Sequence, residues 1–97
     1  MSDIINQAVA FVKSPAYIDV TMRQLAILGV AMTAEEPLKV REMASALKLS
    51  KPVVTRALLT LERYGLVERR RGKDMRDRFI HVTSSGRAWR AVVGGVA

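Results

Sequence analysis

His81 is the only histidine in the chain, and Ser84 and Ser85 follow it closely, which puts the residue types of a base and a nucleophile side by side. No acid is placed to orient the imidazole and no glycine-rich phosphate loop is present, so this spacing predicts no hydrolase. His81 has no second histidine and no cysteine with which to complete a metal site, and the absence of cysteine excludes disulfides and thiol redox chemistry. A non-enzymatic chain without metal or cofactor is expected, with His81 at the surface.

Anion binding is the chemistry the residues do support. Fourteen Lys/Arg against five Asp/Glu lie between Leu38 and Arg90, whereas the remainder carries two against four, inside a net charge of +7. A field of this sign suits a polyanion, whether nucleic acid or an anionic membrane surface, unless it is simply a solvated basic face. Arg69, Arg70, Arg71, Lys73 and Arg76 crowd into one short stretch that repels itself when no anion is near. A second group, Ser50, Lys51, Pro52, Val53, Thr55 and Arg56, combines small, hydrogen-bonding and cationic side chains at what reads as the start of a helix. Such residues can approach base edges while apolar residues behind them pin the helix.

These groups need elements to hold them. Ile4, Ile5, Ala8, Val9, Phe11 and Val12 recur at helical spacing up to Pro15, predicting a short apolar helix over 3–14. Thr21 and Gln24 form a capping box, so a second helix should run from Met22 to about Thr33. Leu38 to Val40 reads as a small strand, and residues 41–47 as a short helix with Met43, Ala44 and Leu47 inward. Ser50 is a good N-cap for a longer helix whose buried stripe is expected to be Val54, Leu58, Leu61 and Tyr64, with Gly65 as its stop. Leu66 to Arg71 and Arg78 to Thr83 read as two strands joined by residues 72–77, with Ile80 and Val82 on one face. Thr83 or Ser84 caps a last helix through Ala88, Trp89, Val92 and Val93, stopped by Gly94 and Gly95.

This order of elements is the plan of a winged helix-turn-helix domain, mainly α with a small β-hairpin wing. Met43-Ala44 through Leu47, Leu49-Ser50, Val54-Thr55-Arg56 and Leu61 to Arg69 resemble the helix-turn-helix core of the MarR family of bacterial transcriptional regulators. Asp74-Met75-Arg76, Ile80, Val82-Thr83 and Gly86 are similar to that family's wing signature. The chain departs from the pattern at Lys48, where a turn glycine is common, and at Met75, where arginine is frequent. Its first helix is also shorter than the family's dimerisation helices.

The resemblance implies a sequence-specific regulator of transcription, most often a repressor, whose partner is double-stranded DNA. Helix 50–64 would enter the major groove while the wing, 67–83, meets the backbone or minor groove. It also implies that Arg76 pairs with Asp74 to support the wing, and that the chain acts as a homodimer with two helices on a pseudo-palindrome. Residues 1–18 are expected to serve dimerisation through Ile4, Ile5, Ala8 and Val12 together with Trp89, Val92 and Val93, and residues 19–97 to form the DNA-binding domain. Trp89 and Tyr64 are read as packing residues. Two alternatives remain at this level: a winged-helix protein interaction module, which the charge distribution disfavours, and nonspecific DNA association. No apolar run is long enough to span a bilayer and the N-terminus lacks a basic leader, so the expected location is the cytoplasm, at the nucleoid. Operator and effector are not legible.

Overall fold

In the computed structural model, which describes residues 3–94, the chain forms five helices and a three-stranded antiparallel sheet. The elements are α1 (Ile4–Lys13), α2 (Met22–Thr33), β1 (Leu38–Lys39), α3 (Val40–Leu47), α4 (Lys51–Arg63), β2 (Val67–Arg71), β3 (Arg78–Val82) and α5 (Ser84–Gly94). Gly95, part of the expected stop of the last helix, lies outside the described residues, as do residues 1, 2, 96 and 97.

Helix starts follow the capping chemistry. Thr21 Oγ1 accepts from the Gln24 amide at 3.1 Å while the Gln24 side chain accepts from the Thr21 amide at 2.8 Å, closing the capping box in front of α2. Ser50 Oγ accepts from the Val53 amide at the head of α4, and Thr83 Oγ1 from the Gly86 amide at 2.9 Å at the head of α5. The short strand ends one residue early because Val40 already belongs to α3, where Glu42 accepts from the Lys39 amide at 2.8 Å.

One core unites these parts. Ile27 and Leu28 of α2, Met43 and Ala44 of α3, Val54, Ala57, Leu58 and Leu61 of α4, and Leu66, Val67 and Ile80 of the sheet region are all buried. Tyr64 is not on that stripe. It is 41% exposed, and its hydroxyl donates to the Asp19 carbonyl at 3.1 Å, tying the end of α4 to the segment before α2. The reason is angular: Tyr64, the C-cap, still has helical backbone angles and its amide donates to the Thr60 carbonyl at 3.1 Å, so the helical period sets it at the edge of the buried stripe.

The turn between α3 and α4 is closed by Lys48 in the left-handed region, at φ 55° and ψ 43°. The Leu49 amide donates to the Ala44 carbonyl at 2.9 Å, and Leu49 packs against the core. A side chain in this conformation costs about 1 kcal/mol. Lys48→Gly is therefore expected to raise stability by up to about 1 kcal/mol, read as a higher urea midpoint at unchanged m.

α1 stands apart from the core and buries none of its side chains. It is held through Phe11, whose ring meets Tyr17 and Trp89 edge-on at centroid distances of 5.1 and 5.8 Å. Trp89 also donates from its indole to the Ala16 carbonyl at 2.9 Å. Trp89 is thus turned inward as the joint between α1 and α5, rather than outward with Val92 as the dimerisation reading required. Ile4, Ile5, Val9, Val12 and Val92 remain at least half exposed, and Ala8 is exposed beside them.

Candidate nucleic-acid interface

The four buried positions of α4 define its inner face, so the outer face follows from the helical period: Pro52, Arg56, Leu59 and Arg63, all exposed. Arg56 lies where the sequence pattern places it. Leu59 and Arg63 share its face and were missed, although their spacing of three and seven residues from Arg56 was available. Val53 and Thr55 are half-buried flanks rather than outward residues. Val53 faces α2, lining a groove with Arg56, Thr21, Arg23 and Gln24, whereas Thr55 faces the wing.

The wing is the β2–β3 hairpin, in register from Val67 opposite Val82 to Arg71 opposite Arg78. Its turn is closed by the Gly72 amide donating to the Asp77 carbonyl at 3.0 Å and the Met75 amide donating to the Gly72 carbonyl at 3.1 Å. Met75, at the tip, is 60% exposed and has φ 64°. Asp74 supports the turn, but not by the expected ion pair. Its carboxylate accepts from the backbone amides of Arg76 at 3.1 Å and Asp77 at 3.4 Å. Among the described residues no Asp74–Arg76 ion pair forms, because a carboxylate at the first turn position satisfies the amides two and three residues on.

Ion pairing also sorts the five wing cations. Arg69 donates to Glu62 of α4 at 3.0 Å and is half-buried, so it fastens the wing to α4. Arg70 pairs with Glu68 on the same strand. Arg71, Lys73 and Arg76 make no ion pair among the described residues and are exposed. His81 is half-buried on β3 opposite Glu68 and keeps part of its surface open to solvent.

Between the first turn of α4 and the wing runs a cleft of about 170 Å³. Lys39, Arg41, Lys51, Arg69, Arg76 and Arg78 line it, with Asp77 as its single carboxylate. The hydrogen bond from Lys39 at 3.0 Å, reinforced by the nearby charges of Lys39, Arg41 and Lys51, holds the Asp77 carboxyl below the usual carboxylate range against a smaller opposing effect of desolvation. Lys39, Arg41 and Arg78 were not singled out in the sequence, because each comes from a different element. The opposite flank of α4 carries Arg23 and Arg56 around the start of α2. The outer face of α4 therefore stands between the basic cleft on the wing side and, on the α2 side, a groove to which Arg23 adds one further cation. No group of described residues could hold a metal ion, and none of their helices is long and apolar enough to cross a membrane.

The sequence profile of the bacterial regulatory proteins of the gntR family matches residues 23–76, which run from α2 to the wing turn. The chain belongs to the gntR family of bacterial regulatory proteins. No curated protein matches this gntR-family chain in sequence. Its fold is similar to that of a MarR-family transcriptional regulator from Rhodococcus sp. RHA1, with 25% identity and a TM-score of 0.75 over 91% of this chain and 59% of that one. It is also similar to a MepR mutant of S. aureus bound to an oligodeoxyribonucleotide, with 28% identity and a TM-score of 0.72 over 80% of this chain and 58% of that one. A third structure, an S. aureus MepR–DNA complex, shares the fold at 24% identity and a TM-score of 0.79, over 96% of this chain and 74% of that one. The gntR-family chain thus spans less than three-fifths of the first two regulators. Its winged helix-turn-helix is the architecture that the MarR resemblance implied.

Proposed function

We propose that this gntR-family chain is a sequence-specific, double-stranded-DNA-binding regulator of transcription that acts as a repressor. The observation that carries this reading is the exposed face of α4, Pro52, Arg56, Leu59 and Arg63, flanked by the basic cleft on the wing side and by Arg23 on the α2 side. A major groove is about 12 Å wide, admits one helix, and is bordered by a phosphate strand on each side. Arg56 reads a guanine edge, Leu59 offers an apolar contact to a thymine methyl, and Ser50, Lys51, Pro52 and Thr55 lie along the entering turn. Arg71, Lys73 and Arg76 of the wing meet the neighbouring backbone or minor groove. The chemistry is recognition, not catalysis, and the protein works at the nucleoid in the cytoplasm. The two MepR structures, one bound to an oligodeoxyribonucleotide and the other a DNA complex, support the same partner.

Selection of bound sequences from a random duplex library tests this reading. A two-fold consensus is expected, and recovery of no consensus would reduce the chain to nonspecific association. On the selected site Arg56→Ala should cost about 1–3 kcal/mol and relax specificity at one base pair per half-site. An even loss across all single-base variants would make Arg56 a backbone contact.

We assign residues 1–18 to dimerisation and residues 19–97 to DNA binding. Ile4, Ile5, Val9 and Val12 on α1 and Val92 on α5 expose apolar surface that a lone domain rarely leaves uncovered, with Ala8 and Val93 beside them. A two-fold pairing of such patches covers both copies at once. Ile5→Asp with Val12→Asp alters only exposed side chains, so it should turn a sedimenting dimer into a folded monomer. A monomeric unmodified chain at high concentration would refute the assignment.

A further inference from the structure

The basic cleft contains one carboxylate, and that carboxylate is built in rather than incidental. Asp77 sits at the foot of the wing, its backbone fixed by the Gly72 amide on its carbonyl and by its own amide on Asp74. Its side chain meets Lys39 at 3.0 Å, and Lys39 is positioned in turn with its ammonium 5.9 Å from the centre of the Phe79 ring. Both side chains are only about a quarter exposed, 27% and 25%, whereas the surface pair Arg70–Glu68 is 62% and 47% exposed. Arg41, Lys51, Arg76 and Arg78 surround them. An anion is therefore already present where the geometry would admit a phosphate.

We propose that Asp77 is an internal counter-ion of the phosphate cleft, which keeps Lys39 from the DNA backbone and lowers affinity for every duplex alike. This rests on the DNA-binding reading above. Phosphate contacts supply affinity without sequence information. A carboxylate that cancels one of them weakens nonspecific binding while leaving the outer face of α4 untouched. Because the loss is common to operator and bulk DNA, it leaves their affinity ratio unchanged and shortens the time spent on each site, so that the chain exchanges faster among sites. A carboxylate that merely braced the wing to β1 would behave oppositely, since its loss would misplace the wing and weaken binding.

The test is a salt titration of the full chain on a random-sequence duplex, comparing the unmodified protein with Asp77→Asn and with Asp77→Asn combined with Lys39→Gln. When Lys39 is released to neutralise one further phosphate per chain, the log K against log salt slope steepens by about 0.9. Asp77→Asn should accordingly bind about eightfold more tightly near 0.1 M salt, and the double variant should return to the original slope. Asp77→Ser keeps a short polar side chain and repeats the measurement independently of the amide. Equal or weaker binding by both single variants, while the unmodified chain binds, would overturn the counter-ion role and leave the DNA-binding reading intact. Failure of the unmodified chain to bind any duplex would overturn both.

Discussion

Gly86→Ala is expected to destabilise the domain by about 3 kcal/mol, the upper part of the range for overpacking. A Cβ at residue 86 would lie 2.1 Å from the Leu66 carbonyl oxygen and 3.0 Å from both the Leu66 carbonyl carbon and a Val82 methyl. The closest neighbour is backbone, so no side-chain rotation relieves the clash. That same carbonyl accepts from the Thr83 amide at 3.1 Å, and the Thr83 hydroxyl donates to the Gly65 carbonyl at 2.6 Å. Moving Leu66 would therefore loosen the joint at which α4, β2 and α5 meet. At about 4–8 °C per kcal/mol for a domain of this size, the melting temperature should fall by roughly 12–24 °C. Gly29→Ala is the matched control. Nothing lies within 4 Å of the Cβ it would add inside α2, so the same change should stabilise by about 0.5–1 kcal/mol through helix propensity. Thermal denaturation of the two variants should give shifts of opposite sign, and a neutral Gly86→Ala would contradict the close approach of α5 to Leu66.

What the sequence revealed and what it hid divide along one physical line. Features set by a few consecutive residues were legible: the Thr21–Gln24 box, the Ser50 cap, the Thr83 cap and the left-handed turn residue Gly65, at φ 77°. The amphipathic period of α4 gave its core face, and hence Arg56 on the outside, without knowledge of its neighbours. Features set by the meeting of distant segments were not legible. Arg69 read as a wing cation because nothing local places Glu62, seven residues earlier on another element, beside it. Lys39, Arg41 and Arg78 scatter across β1, α3 and β3, and only the folded chain gathers them around Lys51. Trp89 lay on an apolar stripe that could equally face a partner or its own chain, and the Ala16 carbonyl decided for the chain. The Asp74–Arg76 expectation had the right residues and the wrong atoms, since the backbone amide outcompeted the guanidinium for the carboxylate.

Replacing Arg41, Lys51 and Arg78 together with alanine should abolish most of the affinity for duplex DNA while leaving the stability of the fold little changed. Arg41 lies in the first turn of α3 and Lys51 opens α4. A cation at a helix N-terminus opposes the helix dipole, typically by about 0.3–1 kcal/mol, so neither residue is favoured there by helix stability. Arg78 begins the exposed end of β3 and makes no ion pair among the described residues. All three side chains line the cleft and are exposed, so their removal leaves no buried group unpaired. If each engages one phosphate, the slope of log K against log salt should become shallower by about 2.7 per chain, and binding near 0.15 M salt should weaken by roughly two orders of magnitude. Arg70, Arg71 and Lys73 form the comparison triple. Because Arg70 is already paired with Glu68, replacing these three should change the slope by less. Duplex titrations at several salt concentrations, run beside urea denaturation, separate the two effects: affinity must fall as stability holds or rises. A cleft triple that lost stability and affinity together, or that bound with the original salt slope, would mean that these cations support the fold rather than meet the DNA backbone.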